Sequence, residues 1–486
     1  MPKKLVLCVI DSLKPAMLDR AIADGRAPAL AALVERGTYI DDCVSVFPSV
    51  TPVASATIAT GRPPDEHHIP SMNWYHRGEA RYVEYGSSFE ATRAFGVVRS
   101  LYDTVYNMNM AHLSRGVLTV FERLEDAGLR TAGTTYLIYR GRTRHEPAED
   151  GLYTRVARAA QFRHAVWGPT ELFYADLYAS RRTGCRSTLG MPGQRDQHTG
   201  CVGAHIVAND LADFMLLSLP DTDTHSHKHG PYAQVAAIAH ADKALERVMH
   251  AGGGIDAFLD DHAVIVMSDH SQTEVEDRVN LGRALDHWRV LQPGDPDPAG
   301  AEIAVCPAAR SAMVYVLDPD ERDARAARVA RDLLGVDGVD LLARRSGGEA
   351  IVASERGELR FAPGGELRDL RGGEWSIEGD RAVLGLRTDD GCVTSKAYPE
   401  ALGRLWAALS CPTAGEVLVS ATPGFEFVDW GGADHVGGGS HGSLHRGDSL
   451  GVLIFCGTGP AARSDREQWA LADAAAEALK HYSLPS

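Results

Sequence analysis

Near the start of the chain, Leu5-Val6-Leu7-Cys8-Val9-Ile10 is apolar without a break. A strand with one wet face would alternate, so this run predicts a strand covered on both faces, as in a parallel sheet. After it, Ala, Leu and Met recur at helical spacing from about Pro15 to Arg36, with Gly37 as the stop. The alternation returns further along. Gly116 to Asp126 reads as helix and Thr131 to Ile138 as strand. Phe214 to Leu219 and Ala263 to Met267 are apolar runs with a helix around Val235 to His250 between them, and Leu450 to Phe455 is another run. Strands alternating with helices of this length predict an α/β fold: a mostly parallel central sheet flanked by helices.

From about Pro293 to Pro412 the pattern changes. Gly, Arg, Asp and Glu surround short strand-like pieces such as Met313 to Leu317, with an Ala- and Arg-rich helix around Arg322 to Leu334. This predicts an inserted α+β subdomain over 293–412, a candidate cap, interrupting a catalytic domain made of 1–292 and 413–486. A second irregular excursion runs from Gly141 to Cys201.

Composition narrows the partners more than the fold. Of 486 residues, 44% are hydrophobic and 23% charged, which supplies a substantial core and excludes global disorder. The formal net charge of −16 argues against a nucleic-acid polymer or an anionic membrane surface as partner, since both reward Lys and Arg. A small anionic substrate stays open, because bound metal ions can reverse the local field. The eight cysteines are scattered without a C-x-x-C pair. That spacing fits neither a disulfide-dense scaffold nor a thiolate zinc cage, and Cys8 and Cys456 read as buried small hydrophobes. The first apolar run is too short for a signal-peptide core and ends in Asp11, and no apolar stretch reaches membrane-spanning length. A soluble cytoplasmic protein is therefore expected, with no indication of oligomeric state.

Ligands of open α/β sheets bind where strands end at their carboxyl edge. Three of the runs end there in acidic residues or histidine: the first in Asp11, the second in the segment from Asp221 through Asp223, His225, His227 and His229 to Pro231, the third in Ser268-Asp269-His270. One Asp after a strand is commonly a helix cap. Three such ends, joined by Ser440-His441-Gly442, are better explained by a divalent metal, which requires converging carboxylates and imidazoles. A nucleophile candidate lies in Pro48-Ser-Val-Thr51-Pro52, where Pro52 suits the first helical position, Thr51 the N-cap and Gly61 the stop. A hydroxyl beside free N–H groups and the positive end of a helix dipole suits a phosphate. Capping alone would also account for Thr51.

The ordered set Val9-Ile10-Asp11, Pro48-x-x-Thr51, Thr60-Gly61-x-x-Pro64-x-x-His67-x-Ile69, Asp-x-x-x-His-x-x-Gly-Pro, Ser268-Asp269-His270 and Ser440-His441-Gly442 resembles the alkaline phosphatase superfamily. Within it, the chain is most similar to the type I phosphodiesterase/nucleotide pyrophosphatase family, over about residues 1–75, 205–285 and 430–460. The resemblance implies a hydrolase of phosphate esters with two divalent ions, zinc for preference and manganese or iron tolerated. It implies one ion held by Asp11, Asp269 and His270 with Thr51 as exchangeable ligand, and another held by His441 with an Asp and a His of the 221–231 segment. Two registers fit that segment. Asp221 with His225 keeps the Pro-Asp pairing, whereas Asp223 with His227 keeps the family's spacing to Gly230-Pro231 and is the one taken. Thr51 would attack phosphorus and form a phosphothreonine intermediate.

The chain departs from the family at two positions. His68 stands where the family usually has Gly, and the phosphate-contacting Asn falls on Met72, which leaves Asn73, one place later, as the substrate-binding candidate. The expected substrate is a small phosphorylated or phosphonate compound. A phosphonate hydrolase, a phosphomonoesterase or a phosphomutase would use the same site, and a catalytically silent metal-binding or ligand-sensing protein is the alternative of another class. The intact Thr51 speaks against the last. Tyr75, Tyr82, Tyr85 and Tyr153 are candidates to stack on a base or sugar, with packing as their other account.

Overall fold

The first apolar run becomes strand β1 (Lys4–Ile10), in which Leu5 to Ile10 are all buried. The computed structural model of the chain describes residues 2–147, 164–174, 177–187, 191, 193–295 and 298–485. Among these residues the main sheet has eight strands. After β1 come β2 (Thr38–Val44), β3 (Thr131–Thr134), β4 (Glu171–Tyr174), β5 (Tyr178–Ala179), β6 (Phe214–Leu219), β7 (His262–Met267) and β8 (Leu450–Cys456), in the spatial order β2-β8-β7-β1-β6-β3-β4-β5. The five strands from β7 to β4 run parallel. β8 is antiparallel to both β7 and β2, and β5 is antiparallel to β4. The fold is thus α/β with a mostly parallel central sheet. Its two faces are covered by separate apolar clusters, as a sheet buried on both sides requires. Val6, Cys8 and Ile10 pack with helices Pro15–Ala23, Pro28–Arg36, Arg195–Ala208 and Val235–Ala251. Leu5, Leu7 and Val9 pack with helices Thr51–Thr60, Val120–Asp126 and Asp473–His481.

Several local expectations need correction. The single helix expected from Pro15 to Arg36 is two, Pro15–Ala23 and Pro28–Arg36. Gly25 between them is left-handed at φ 65°, and Pro28 disfavours helical backbone in the residue before it. The helix expected from Gly116 starts at Val120, where Thr119 and Glu122 satisfy each other's backbone N–H in a capping box. The strand expected to reach Ile138 stops at Thr134, because Thr135 turns to φ 55°. A disulfide joins Cys185 and Cys201, which the spacing did not announce.

A second, nine-stranded sheet is built from strands between Ile303 and Ala421. One of them, Val417–Ala421, lies beyond the expected boundary at 412 and pairs between Ser311–Val316 and Val339–Ser346. Cys306, Met313, Tyr315 and Leu405 share an apolar cluster with the Thr51–Thr60 helix, so this sheet packs on the main one through continuous core. No helix among the described residues is long and apolar enough to cross a membrane.

Candidate metal centre

In-register parallel strands bring their carboxyl ends to one level, since Val9 lies opposite both Ser218 and Met267. Asp11 follows β1, and Asp269 and His270 follow β7. One ligand atom from each of the three lies within 4.8 Å of the others. The turn after Asp11 is made by Ser12 at φ 59°. Its N–H donates to Asp269 Oδ1 (3.1 Å) and its hydroxyl to Asp223 Oδ1 (2.7 Å), so one residue ties three strand ends together.

Thr51 does not cap its helix. Val50 is the N-cap, Thr51 is the first helical residue, and no side chain satisfies the helix N-terminus. The extended backbone of Val50 (φ −124°, ψ 146°) makes that residue the N-cap, so the helix starts one residue earlier than it would if Thr51 capped it. The hydroxyl is left for the site, with Oγ1 3.2 Å from His270 Nε2. Gly61, left-handed at φ 66°, ends the helix as its sequence position suggested.

The segment after β6 is a helix, Asp221–His229, and not a loop. Asp223 and His227 are therefore four residues apart on one face, with Asp223 Oδ2 3.3 Å from His227 Nε2. Asp221 serves the scaffold instead. Its Oδ1 accepts from Gly193 N and Arg195 Nε, both at 2.9 Å, and its Oδ2 from Asp196 N at 3.1 Å. His225 Nε2 reaches the Ala233 carbonyl at 3.1 Å. Asp223→Ala and His227→Ala should each remove most activity and about one metal equivalent, whereas Asp221→Ala and His225→Ala should be milder. Turnover and elemental analysis of the four variants check this, and the opposite ranking would move the site to the other register.

His441 arrives on a two-residue strand, Gly439–Ser440, paired with Thr273–Glu274 shortly after His270. That pairing stacks the His441 ring on His270, with centroids 3.7 Å apart, and puts its Nε2 3.6 Å from Asp223 Oδ1. Asp223, His270 and His441 form a second group with ligand atoms within 4.8 Å; His227, expected in that set, is outside the group and meets it through Asp223 Oδ2. Glycine is required at 439, since a Cβ there would meet the Ser226 carbonyl oxygen at 2.9 Å as well as Gln272 Oε1 at 2.5 Å. Backbone carbonyls orient the rings: His227 Nδ1–H donates to Gly439 O (2.8 Å) and His441 Nδ1–H to Ser49 O (2.9 Å), so both turn Nε2 toward Asp223. Metal-ligating histidines use that arrangement.

The electrostatics of the site call for a cation. Burial, then Asp269 and Asp223, push the Asp11 carboxyl well above its ordinary range. Burial raises Asp269 to about 6 and lowers His270 to about 4 and His441 to about 3. Burial would raise Asp223 too, but His227, His441 and His270 hold it well below. Asp11 Oδ1 and Asp269 Oδ2 are buried with no hydrogen-bond partner among the described residues. Crowded carboxylates, two of whose oxygens lack a hydrogen-bond partner, converging with the imidazoles of His270 and His441 are a donor set that fits zinc, manganese or iron.

Sequence reasoning missed the supports of this centre. Gln272 Nε2 donates to Asp223 Oδ1 (2.6 Å), and Lys14 Nζ donates to Gln272 O (3.0 Å) and Ser271 Oγ (3.3 Å). Ser12 and Gln272 lie one and two residues from legible strand-end ligands, which is the signal that could have found them. Arg310 and Asp448, both fully buried, pair at 2.7 Å. Asp448 also accepts from Ser443 N (2.9 Å) and Arg310 N donates to His441 O (2.7 Å), so the pair holds the His441 loop. Arg310→Met strands a buried carboxylate and should cost about 3–5 kcal/mol. Chemical denaturation measures the loss, and a change under about 1 kcal/mol would contradict the role.

Asn73 is directed into its own hairpin, where its Nδ2 donates to the Val83 carbonyl at 3.1 Å. His68 adopts φ 67°, a glycine-like backbone, at the position where the family usually has Gly. Tyr75, Tyr82 and Tyr85 are buried and pack against the core, which favours the packing account for them. Tyr153 lies outside the described residues.

Comparison with known proteins gives the fold and the family. The chain is similar over 99% of its length to phosphonoacetate hydrolase from Sinorhizobium meliloti 1021, solved in complex with phosphonoacetate, at 18% identity, 96% coverage of that chain and a TM-score of 0.56. It is similar over 99% of its length to murine ectonucleotide pyrophosphatase / phosphodiesterase 5 (12% identity, 95% of that chain, TM-score 0.58). The human form matches over 100% of this chain and 96% of its own, at 13% identity and TM-score 0.59. At such identities these structures establish a shared fold. The sequence itself matches the type I phosphodiesterase / nucleotide pyrophosphatase family over residues 5–359, and the chain belongs to that family of phosphoric-ester hydrolases.

Proposed function

We propose that this chain hydrolyses small phosphate esters or phosphonates at two divalent ions, with Thr51 as nucleophile. The observation that carries the reading is the Thr51 hydroxyl, free of any capping role and 3.2 Å from His270 Nε2, beside both ligand groups. Asp11, Asp269 and His270 would hold one ion, and Asp223, His227 and His441 the other. Ions bound there would supply positive charge to the phosphoryl oxygens and lower the pKa of the attacking hydroxyl.

The chain's own residues do the rest. The helix that begins at Thr51 fixes Oγ1 at the strand-end edge, so attack on phosphorus is a matter of position more than of intrinsic reactivity. As the Oγ1–P bond forms, the Thr51 hydroxyl gives up its proton to solvent, the bond to the departing alcohol, phosphate or carbon group breaks with solvent protonating the alcohol or carbon product, and the phosphoryl group stays on Thr51. Water then takes it from Oγ1. Ser12 and Gln272 keep Asp223 aligned throughout. Phosphodiester or pyrophosphate cleavage is favoured by family membership. Phosphonate cleavage is the second reading, on the structural likeness to phosphonoacetate hydrolase.

A panel of phosphomonoester, phosphodiester, pyrophosphate and phosphonate substrates with zinc, manganese and iron tests the proposal. Release of phosphate or a monoester is expected, and product isomerisation would indicate a mutase. Metal-loaded protein inert toward the whole panel would overturn the reading.

A further inference from the structure

One histidine beside the metal centre has no part in the arrangement described so far. The ring of His435 stacks on His227, with centroids 4.0 Å apart and planes 30° from parallel. Its Nδ1–H and its backbone N–H both donate to the buried carboxylate of Glu426, the former at 3.0 Å. Burial would raise the Glu426 carboxyl, but its bonds to His435 hold it below the usual range. A carboxylate only accepts. One ring proton therefore sits on Nδ1, and Nε2, on the other side of the ring, takes no part in the bond to Glu426.

The place of this ring beside the centre is informative. The His270 and His441 side chains are 0% and 4% exposed, against 16% for Asp223, 19% for His227 and 28% for His435. The centre opens on the Asp223–His227 side, and His435 is the next ring outward. A ligand that held its phosphoryl group at Asp223 and His227 and extended outward on this side would meet this ring.

We infer that His435 is a substrate-contacting residue whose Nε2 accepts a hydrogen bond from a hydroxyl or amine on the organic part of the substrate. The preferred substrates are then esters of polyols, sugars or amino alcohols, with a donor close to the phosphoryl group. The inference rests on the reading of the adjacent cluster as a phosphoryl site.

Glycerol phosphate and propyl phosphate differ only in hydroxyl groups, and calorimetric titration of each into metal-loaded protein carrying Thr51→Ala, with His435 wild type or changed, tests the contact without turnover. With His435 in place the protein should bind glycerol phosphate about tenfold more tightly, the scale of one to two hydrogen bonds. His435→Ala should erase the preference while metal content stays unchanged by elemental analysis. His435→Gln, whose amide oxygen also accepts, should keep part of it. Equal binding with His435 in place, a preference that survives in the His435→Ala variant, or metal lost with the ring would each overturn the assignment, the last by showing that His435 only props His227. Absent hydrolysis by the protein with Thr51 in place, with the preference intact, would sink the Thr51 chemistry alone and leave His435 standing.

Discussion

Thr51→Ala should keep its metal and lose turnover by at least about a thousandfold, the scale seen when a nucleophile is removed from a working set. Every proposed Asp and His ligand is untouched by the change, so metal content should largely persist. The helix should persist too. Thr51 makes no cap bond, and alanine is a better helix former than threonine by a few tenths of a kcal/mol, about 0.5 on common scales. What disappears is the one oxygen placed 3.2 Å from His270 Nε2. Thr51→Ser keeps that oxygen and should retain measurable activity. Single-turnover assays with parallel metal analysis decide the matter. An alanine variant that works at near wild-type rate with metal bound would show water attacking directly and would remove the phosphothreonine step.

Chelation should inactivate the protein and also soften it. Asp11, Asp223 and Asp269 share one buried region, and two of their oxygens have no hydrogen-bond partner among the described residues. Without cations, that crowding works against the folded state. Ions that bind only the folded chain add about 2.7 kcal/mol at a free concentration one hundred times Kd. The melting temperature should therefore fall after chelator and recover with zinc, manganese or iron, together with activity. A melting curve indifferent to chelator, with activity retained, would remove the metals from the account.

How much of this was legible beforehand follows the physics of each signal. Burial on both faces forces an unbroken apolar run, so β1, β6, β7 and β8 could be read directly, and the residues after them were visible as polar breaks. Direction was not legible in β8, because a strand covered on both faces looks alike in either sense. The helix from Asp221 to His229 was hidden by its composition. A Thr-, His- and Asp-rich stretch has weak helix propensity, and here packing under the Gly439 backbone prevails over it. His435 and Glu426 could not be found, since nothing in their sequence separation announces that they meet. The Cys185–Cys201 bridge was missed for the same reason: pairing is a property of the fold, not of the spacing.

The place of β8 in the main sheet governs how the protein must be assembled. It fills the slot between β2, which ends at Val44, and β7, which ends at Met267, although it begins only at Leu450. A ribosome delivers β1, β2, β6 and β7 long before it delivers β8. Until then β2 lacks its partner in the main sheet and β7 has one edge unpaired. Open edges of this kind invite pairing with other chains, and contacts so distant in sequence close slowly. Nascent chains are therefore most exposed to aggregation while residues 268–449 are being made, and any fragment that stops before Leu450 keeps both edges bare.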